Sequence, residues 1–283
     1  MKYQLDTTVQ IHDLLDPPNH QVNSDLNTIL KTAEFIAAST YSKKEFAFSV
    51  IRDSCTLLTR VTRKKSLRDA FDFIDKYGSR KKRFRGRMLA VFWKFFIRDT
   101  IKVKWKTSDE STRDRIGGEN LAKFLRIIIP ELWESFGRLA NVPLEDRTKC
   151  PLAHMGPSDN GRTFDFVAKR KCSESSGCVL SGLITEERER AVQLLAKLRE
   201  LKDELIITCE LKKIQLVIEA FFEEDDKKMC YELCNQGIGD LIISLETPPD
   251  RTLVTTNAKE TAVISPAIGQ KHIILSHAED GEN

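Results

Sequence analysis

Three residues far apart in the chain have the types that phosphate chemistry uses. Asp6 closes the segment KYQL near the start, Asp240 opens LIISLE, and Asn257 closes TLVTTN. Two carboxylates brought together repel each other, so such a pair asks for a compensating cation. Hard oxygen ligands suit Mg²⁺ or Mn²⁺. An ion of that kind activates water and stabilises charge developing on a phosphate. Each residue also has an ordinary structural use. Asp240 serves as a helix cap before an apolar run, Asp6 caps a strand-to-helix turn, and Asn257 sits in a turn.

Whether the three meet depends on the elements that carry them. Tyr3–Leu5 reads as a short buried strand ending at Asp6, and 24–39 as a helix opened by Ser24 and Asp25. EFAFSVI (45–51) is rich in β formers and reads as the second strand, followed by one or two helices over 52–78. SDESTRDRIGGEN (108–120) reads as a loop, and 121–140 as a helix interrupted at Pro130. Residues 141–182 show little periodicity. Helices follow at 185–205, with Thr185 as N-cap, at 210–224 and at 227–237. TLVTTN (252–257) is a strand, and KHIILS (271–276) a last apolar segment. This order implies an α/β fold with a parallel central sheet flanked by helices and a mostly helical insertion. The boundaries read as an α/β domain over 1–78 and 183–283, with an inserted basic, helical and Cys-containing lobe over 79–182. In a parallel sheet, ligands bind beyond the carboxyl ends of the strands, where these three residues would converge.

YQLDTTV, GIGDLIISLE and LVTTNAKE, in that order, resemble the motifs of the PIN-domain nucleases. The resemblance implies that Asp6 and Asp240 bind a divalent metal, Mg²⁺ or Mn²⁺. It implies that Asn257 closes the site and that Thr7 or Thr255 positions water or phosphate. The family also carries a Glu on the helix after its second strand. With 45–51 taken as that strand, Cys55 stands where the Glu belongs; Asp53, two residues earlier, is the substitute, and Glu210 a weaker one.

RKKRFRGR (80–87) concentrates positive charge in Arg80, Lys81, Lys82, Arg83, Arg85 and Arg87. Such a run would bind a phosphate backbone by counterion release or stand as a solvated basic loop. The aromatics that follow, Phe92, Trp93, Phe95 and Phe96, would stack on unpaired bases or form a buried helix face with Ile97. Cys150, His154, Cys172 and Cys178 are a candidate structural Zn²⁺ set, although the C-x2-C spacing is missing. Cys230 and Cys234 lie one helical turn apart and would face the core.

The chain has 283 residues, a net charge of +3 and seven cysteines. Its composition is that of a soluble protein, no apolar run reaches membrane-spanning length, and the N-terminus lacks a secretory h-region. Reduced thiols and a cytoplasmic location are expected. The expected activity is metal-dependent phosphodiester hydrolysis, with RNA favoured over DNA as partner, no membrane, and room for a protein partner or a second copy. Two other readings stand beside it: a catalytically degenerate PIN-like binding or assembly module, and a DNA-binding regulator built on the basic lobe.

Overall fold

The computed structural model describes residues 1–17, 20–80, 82–97, 109–150, 156–159, 164–165, 179–201, 208–223 and 238–275. Four short strands, β1 (Lys2–Leu5), β2 (Phe35–Ala38), β5 (Thr252–Thr255) and β6 (Lys271–Ile274), form one sheet in the order β2-β1-β5-β6. All three pairings are parallel, with Leu5 opposite both Ala38 and Val254. A two-stranded antiparallel pair, β3 (Ser158–Asp159) and β4 (Phe164–Asp165), stands apart. The rest of the described structure is mainly helical.

The chain leaves β1 at Asp6 into α1 (Thr7–Leu15), then α2 (Gln21–Lys31), and returns through β2. The second strand is therefore FIAA, inside the segment expected to be the end of a helix. The segment expected to be the second strand, 45–51, is helical instead. α3 (Thr40–Phe46) runs through a π-helical turn, Ala47–Ile51, directly into α4 (Arg52–Lys64). Burial explains the inversion. Phe46, Ala47, Val50 and Ile51 all have 0 % exposure, and the four sit at helical, not alternating, spacing. Ser39 caps α3 by accepting the Ser42 N–H at 3.0 Å, which fixes the start of the helix just after β2.

α5 (Leu67–Arg80), α6 (Lys82–Ile97) and α7 (Glu110–Ser135) pack on α4. Phe84, Met88, Phe92, Phe95, Leu121 and Phe124 share a core with Phe46, Leu57 and Leu58. The expected loop at 108–120 is thus the first half of a helix that runs on through Pro130. Its Gly118 touches the α4–α5 turn so closely that a Cβ would lie 2.6 Å from the Lys65 carbonyl carbon. Glycine marks a helix crossing here, not a break. On α6 the buried-face expectation holds for Phe92 and Phe95, whereas Trp93 and Phe96 are more than half exposed.

The two faces of the sheet carry separate cores. Tyr3, Leu5, Ile36 and Val254 pack under α1 and α2 with Val9, Val22 and Leu26. Leu253, pointing the other way along β5, packs with α8 (Val179–Glu186), α9 (Arg188–Leu201), α10 (Cys209–Glu223), α11 (Gly239–Glu246) and α12 (Ala258–Ala267). Thr185 lies inside α8 and is not an N-cap. α12 occupies a stretch between the expected segments 252–257 and 271–276. The segment 227–237 lies outside the described residues.

Candidate functional site: a carboxylate cluster at the carboxyl edge of the sheet

Because all four strands run parallel, their carboxyl ends share one edge, and the chain leaves that edge through Asp6, Ser39 and Thr255. Asp6 is the N-cap of α1. Its Oδ1 accepts the Thr7 N–H at 2.6 Å, so the ordinary capping role is also filled. Its Oδ2 accepts two hydroxyls, from Thr8 at 2.7 Å and from Thr255 at 2.6 Å. Thr255 in turn accepts the Asn257 N–H at 2.9 Å. The polar end of β5 is therefore a clamp on the carboxylate that ends β1.

Asp240 lies in the first turn of α11, where the helix dipole favours negative charge. The Asn257 side-chain amide donates to its Oδ1 at 2.9 Å. Asn257 precedes α12 but its side chain does not cap that helix; the amide is turned to Asp240 instead. The C-terminal carbonyls of α11 are received by two arginines. Arg190 donates to Ser244 O and Leu245 O, and Arg147 to Leu245 O and Glu246 O. This anchors the helix from the end opposite Asp240.

A third carboxylate joins these two. Glu45, on α3, accepts the Thr7 hydroxyl at 2.8 Å through Oε2. Its Oε1 lies against Gly239, where an added Cβ would come within 1.5 Å of it. Only glycine leaves this carboxylate its place beside Asp240. Sequence reasoning missed Glu45 because it placed the residue at the head of a strand. The usable signal was Ser39, a helix cap six residues upstream, with no β-breaking turn between them.

Asp6 and Asp240 raise the proton affinity of Glu45, and Asp6 raises that of Asp240. Burial first, then the charges of Asp6 and Asp240, push Glu45 up from 4.5 to about 8. Burial and the Asp6 charge, with a smaller push from Glu260, raise Asp240 from 3.8 to about 7, against the Asn257 hydrogen bond and the Arg83 charge. Burial also raises Asp6, although the hydrogen bonds from Thr255, Thr8 and Thr7 oppose it. Burial is the first cause in all three, and neighbouring carboxylate charge adds to it for Glu45 and Asp240. The ligand atoms on offer are all oxygen, which fits a hard divalent ion such as Mg²⁺ or Mn²⁺.

Asp53 is not part of this cluster. It is buried on α4 and receives the Arg87 guanidinium at 2.5 and 3.0 Å. Glu210 opens α10 and has no described contact with the cluster. Cys55 is a buried thiol whose pKa burial pushes up to about 12. Of the basic run, Arg85 pairs with Asp75 at 2.8 Å and Arg87 with Asp53. Arg83 is near enough to Asp240 to favour its ionised form. Arg83, Arg87 and Arg52 line a cleft of about 550 Å³ together with Asp53, Thr56, Tyr77 and Phe84. The side chains of Arg80 and Lys82, and all of Lys81, lie outside the described residues, as do His154, Cys172, Cys178, Cys230 and Cys234. Cys150 is buried.

Comparison of the chain with family models, with curated proteins and with solved structures found no match. Among the described residues no helix is long and apolar enough to cross a membrane.

Proposed function

We propose that the protein is a PIN-like, divalent-metal-dependent nuclease that hydrolyses phosphodiester bonds in RNA. The observation that carries this reading is that Asp6, Glu45 and Asp240, from three separate elements, lie at the carboxyl edge of a parallel sheet near enough for the charges of Asp6 and Asp240 to act on Glu45, although their ligand atoms do not all lie within 4.8 Å of one another. Glu45 sits on the helix after the second strand, the place where the PIN resemblance asks for a Glu. The degenerate-module reading drew its motive from Cys55, and Glu45 supplies the acid that Cys55 does not.

Asp6, Glu45 and Asp240 would hold Mg²⁺ or Mn²⁺. Such an ion, when bound, polarises a phosphoryl oxygen and lowers the pKa of a bound water. The chain's own residues keep the ligands in place. Thr8 and Thr255 orient Asp6, Thr7 orients Glu45, and Asn257 orients Asp240. The neighbouring cleft supplies the electrostatics for the strand: Arg52, Arg83 and Arg87 against a single Asp53 favour a phosphate, and Tyr77 offers an aromatic wall to an unpaired base.

The test is cleavage of labelled single-stranded RNA with Mg²⁺ or Mn²⁺, with chelator, and with the Asp240→Asn variant. The reading expects metal-dependent cleavage that falls at least about 100-fold in the variant. Absence of cleavage with either ion, alongside salt-sensitive RNA binding, would replace it with the binding-module reading.

A further inference from the structure

α1 carries a second group of ligand-type side chains at its far end. His12 lies in its last turn, Asp16 is its C-cap, and His20 is the N-cap of α2. On one continuous helix His12 and His20 would stand roughly 12 Å apart along the axis. Here α1 ends at Leu15 and α2 begins at Gln21, and the two imidazoles face each other with ring centroids 5.9 Å apart and planes within 10°. One ligand atom from each residue lies within 4.8 Å of the other two. The Nδ1 atoms of both histidines converge on a single oxygen, Asp16 Oδ2, at 2.5 and 3.7 Å.

The backbone around this group is tied down. Asp16 N–H donates to His12 O at 2.9 Å, and His20 N–H to Pro17 O at 3.0 Å. The Asn23 side chain spans the turn, donating to His12 O at 3.4 Å and Pro17 O at 3.0 Å. All three side chains are partly shielded, His20 the most open at 35 %. Such a set is preorganised and still reachable by an ion from solvent.

We infer that His12, Asp16 and His20 form a binding site for a first-row transition metal ion of the Zn²⁺ or Co²⁺ type. Two imidazole nitrogens and one carboxylate oxygen are the three-protein-ligand set that leaves a further position for water. Imidazole selects such ions over Mg²⁺ and Ca²⁺. One ion would draw all three groups into a single ligand set. The site joins the C-terminus of α1 to the N-terminus of α2, roughly 15 Å along the helix from Asp6. It is thus a structural staple on the helix that Asp6 caps, and it stands independently of the nuclease reading.

The experiment is a Co²⁺ titration of the full chain followed by visible absorption, then displacement by Zn²⁺. With excess Mg²⁺ present to occupy the carboxylate site, the expected result is one equivalent of Co²⁺ bound without a thiolate charge-transfer band and displaced by Zn²⁺. His20→Asn should keep the helix cap, since Asn is a favoured N-cap, and weaken Co²⁺ binding at least about 10-fold. His12→Ala should do the same, with folding checked by circular dichroism. A missing signal, a signal unchanged in both histidine variants, or one lost on replacing Cys150, Cys172 and Cys178 by Ser would overturn the assignment.

Discussion

Asp6 accepts one backbone N–H and two hydroxyls, and burial still raises its affinity for a proton. Glu45 and Asp240 stand in the same condition, and that has a measurable consequence for stability. Glu45 binds its proton more tightly in the folded chain (about 8) than at its ordinary 4.5. Folding is therefore favoured most where the group is protonated in both states, and stability is lost as pH rises from about 4.5 to about 8. Asp240 adds to the loss between 3.8 and about 7. Metal-free protein should show a melting temperature that falls between pH 5 and pH 8. Glu45→Gln should flatten that fall, and thermal scans across the range decide it. Asp6, Asp240 and Asn257 were legible in the sequence because each stands at the boundary of an apolar run, where side-chain type and element end coincide. Glu45 was not, because it lies within a run whose Phe, Val and Ile suit a buried helix as well as a strand. Asp53 was attractive by position alone; its charge is already met by Arg87.

At the scale of elements, the parallel sheet and its helices were readable from pattern, while several boundaries were not. β2 consists of FIAA, too short and too continuous with the preceding helical spacing to announce itself. The helix over 110–135 contains Gly117, Gly118 and Pro130, each a local signal for a break. Tertiary packing overrides them, since Gly118 lets α7 lie on the backbone of Lys65 and Ser66. Gly118→Ala places a methyl 2.6 Å from that backbone. It should destabilise the fold by roughly 1–3 kcal/mol, despite the better helix propensity of Ala. Denaturant unfolding of the variant tests this. A neutral or stabilising result would mean that α7 and the α4–α5 turn are not in close contact.

The molecule as a whole sets an acidic site beside a basic cleft. The net charge of +3, the balance of 45 basic and 42 acidic residues over the whole chain, does not reveal this local separation. What matters is that Arg83 neighbours Asp240 and also lines the cleft with Arg52 and Arg87. Arg52→Ala combined with Arg83→Ala should weaken RNA binding at low salt. The variant should also reduce the slope of log affinity against log salt by about 1–2, the loss of one or two phosphate contacts. Fluorescence anisotropy at a series of salt concentrations measures it, and an unchanged slope would move the binding surface elsewhere.

The central claim is that Asp6, Glu45 and Asp240 act together as one divalent-ion site. Calorimetric titration with Mn²⁺ at pH 7.5, repeated in buffers of different ionisation enthalpy, tests it most directly. With Glu45 at about 8 and Asp240 at about 7, binding should release about one proton per ion. One Mn²⁺ per chain at this site, that proton release, and loss of both in Glu45→Gln are the expected results. Mn²⁺ binding that persists unchanged in Glu45→Gln, with no proton released, would contradict it.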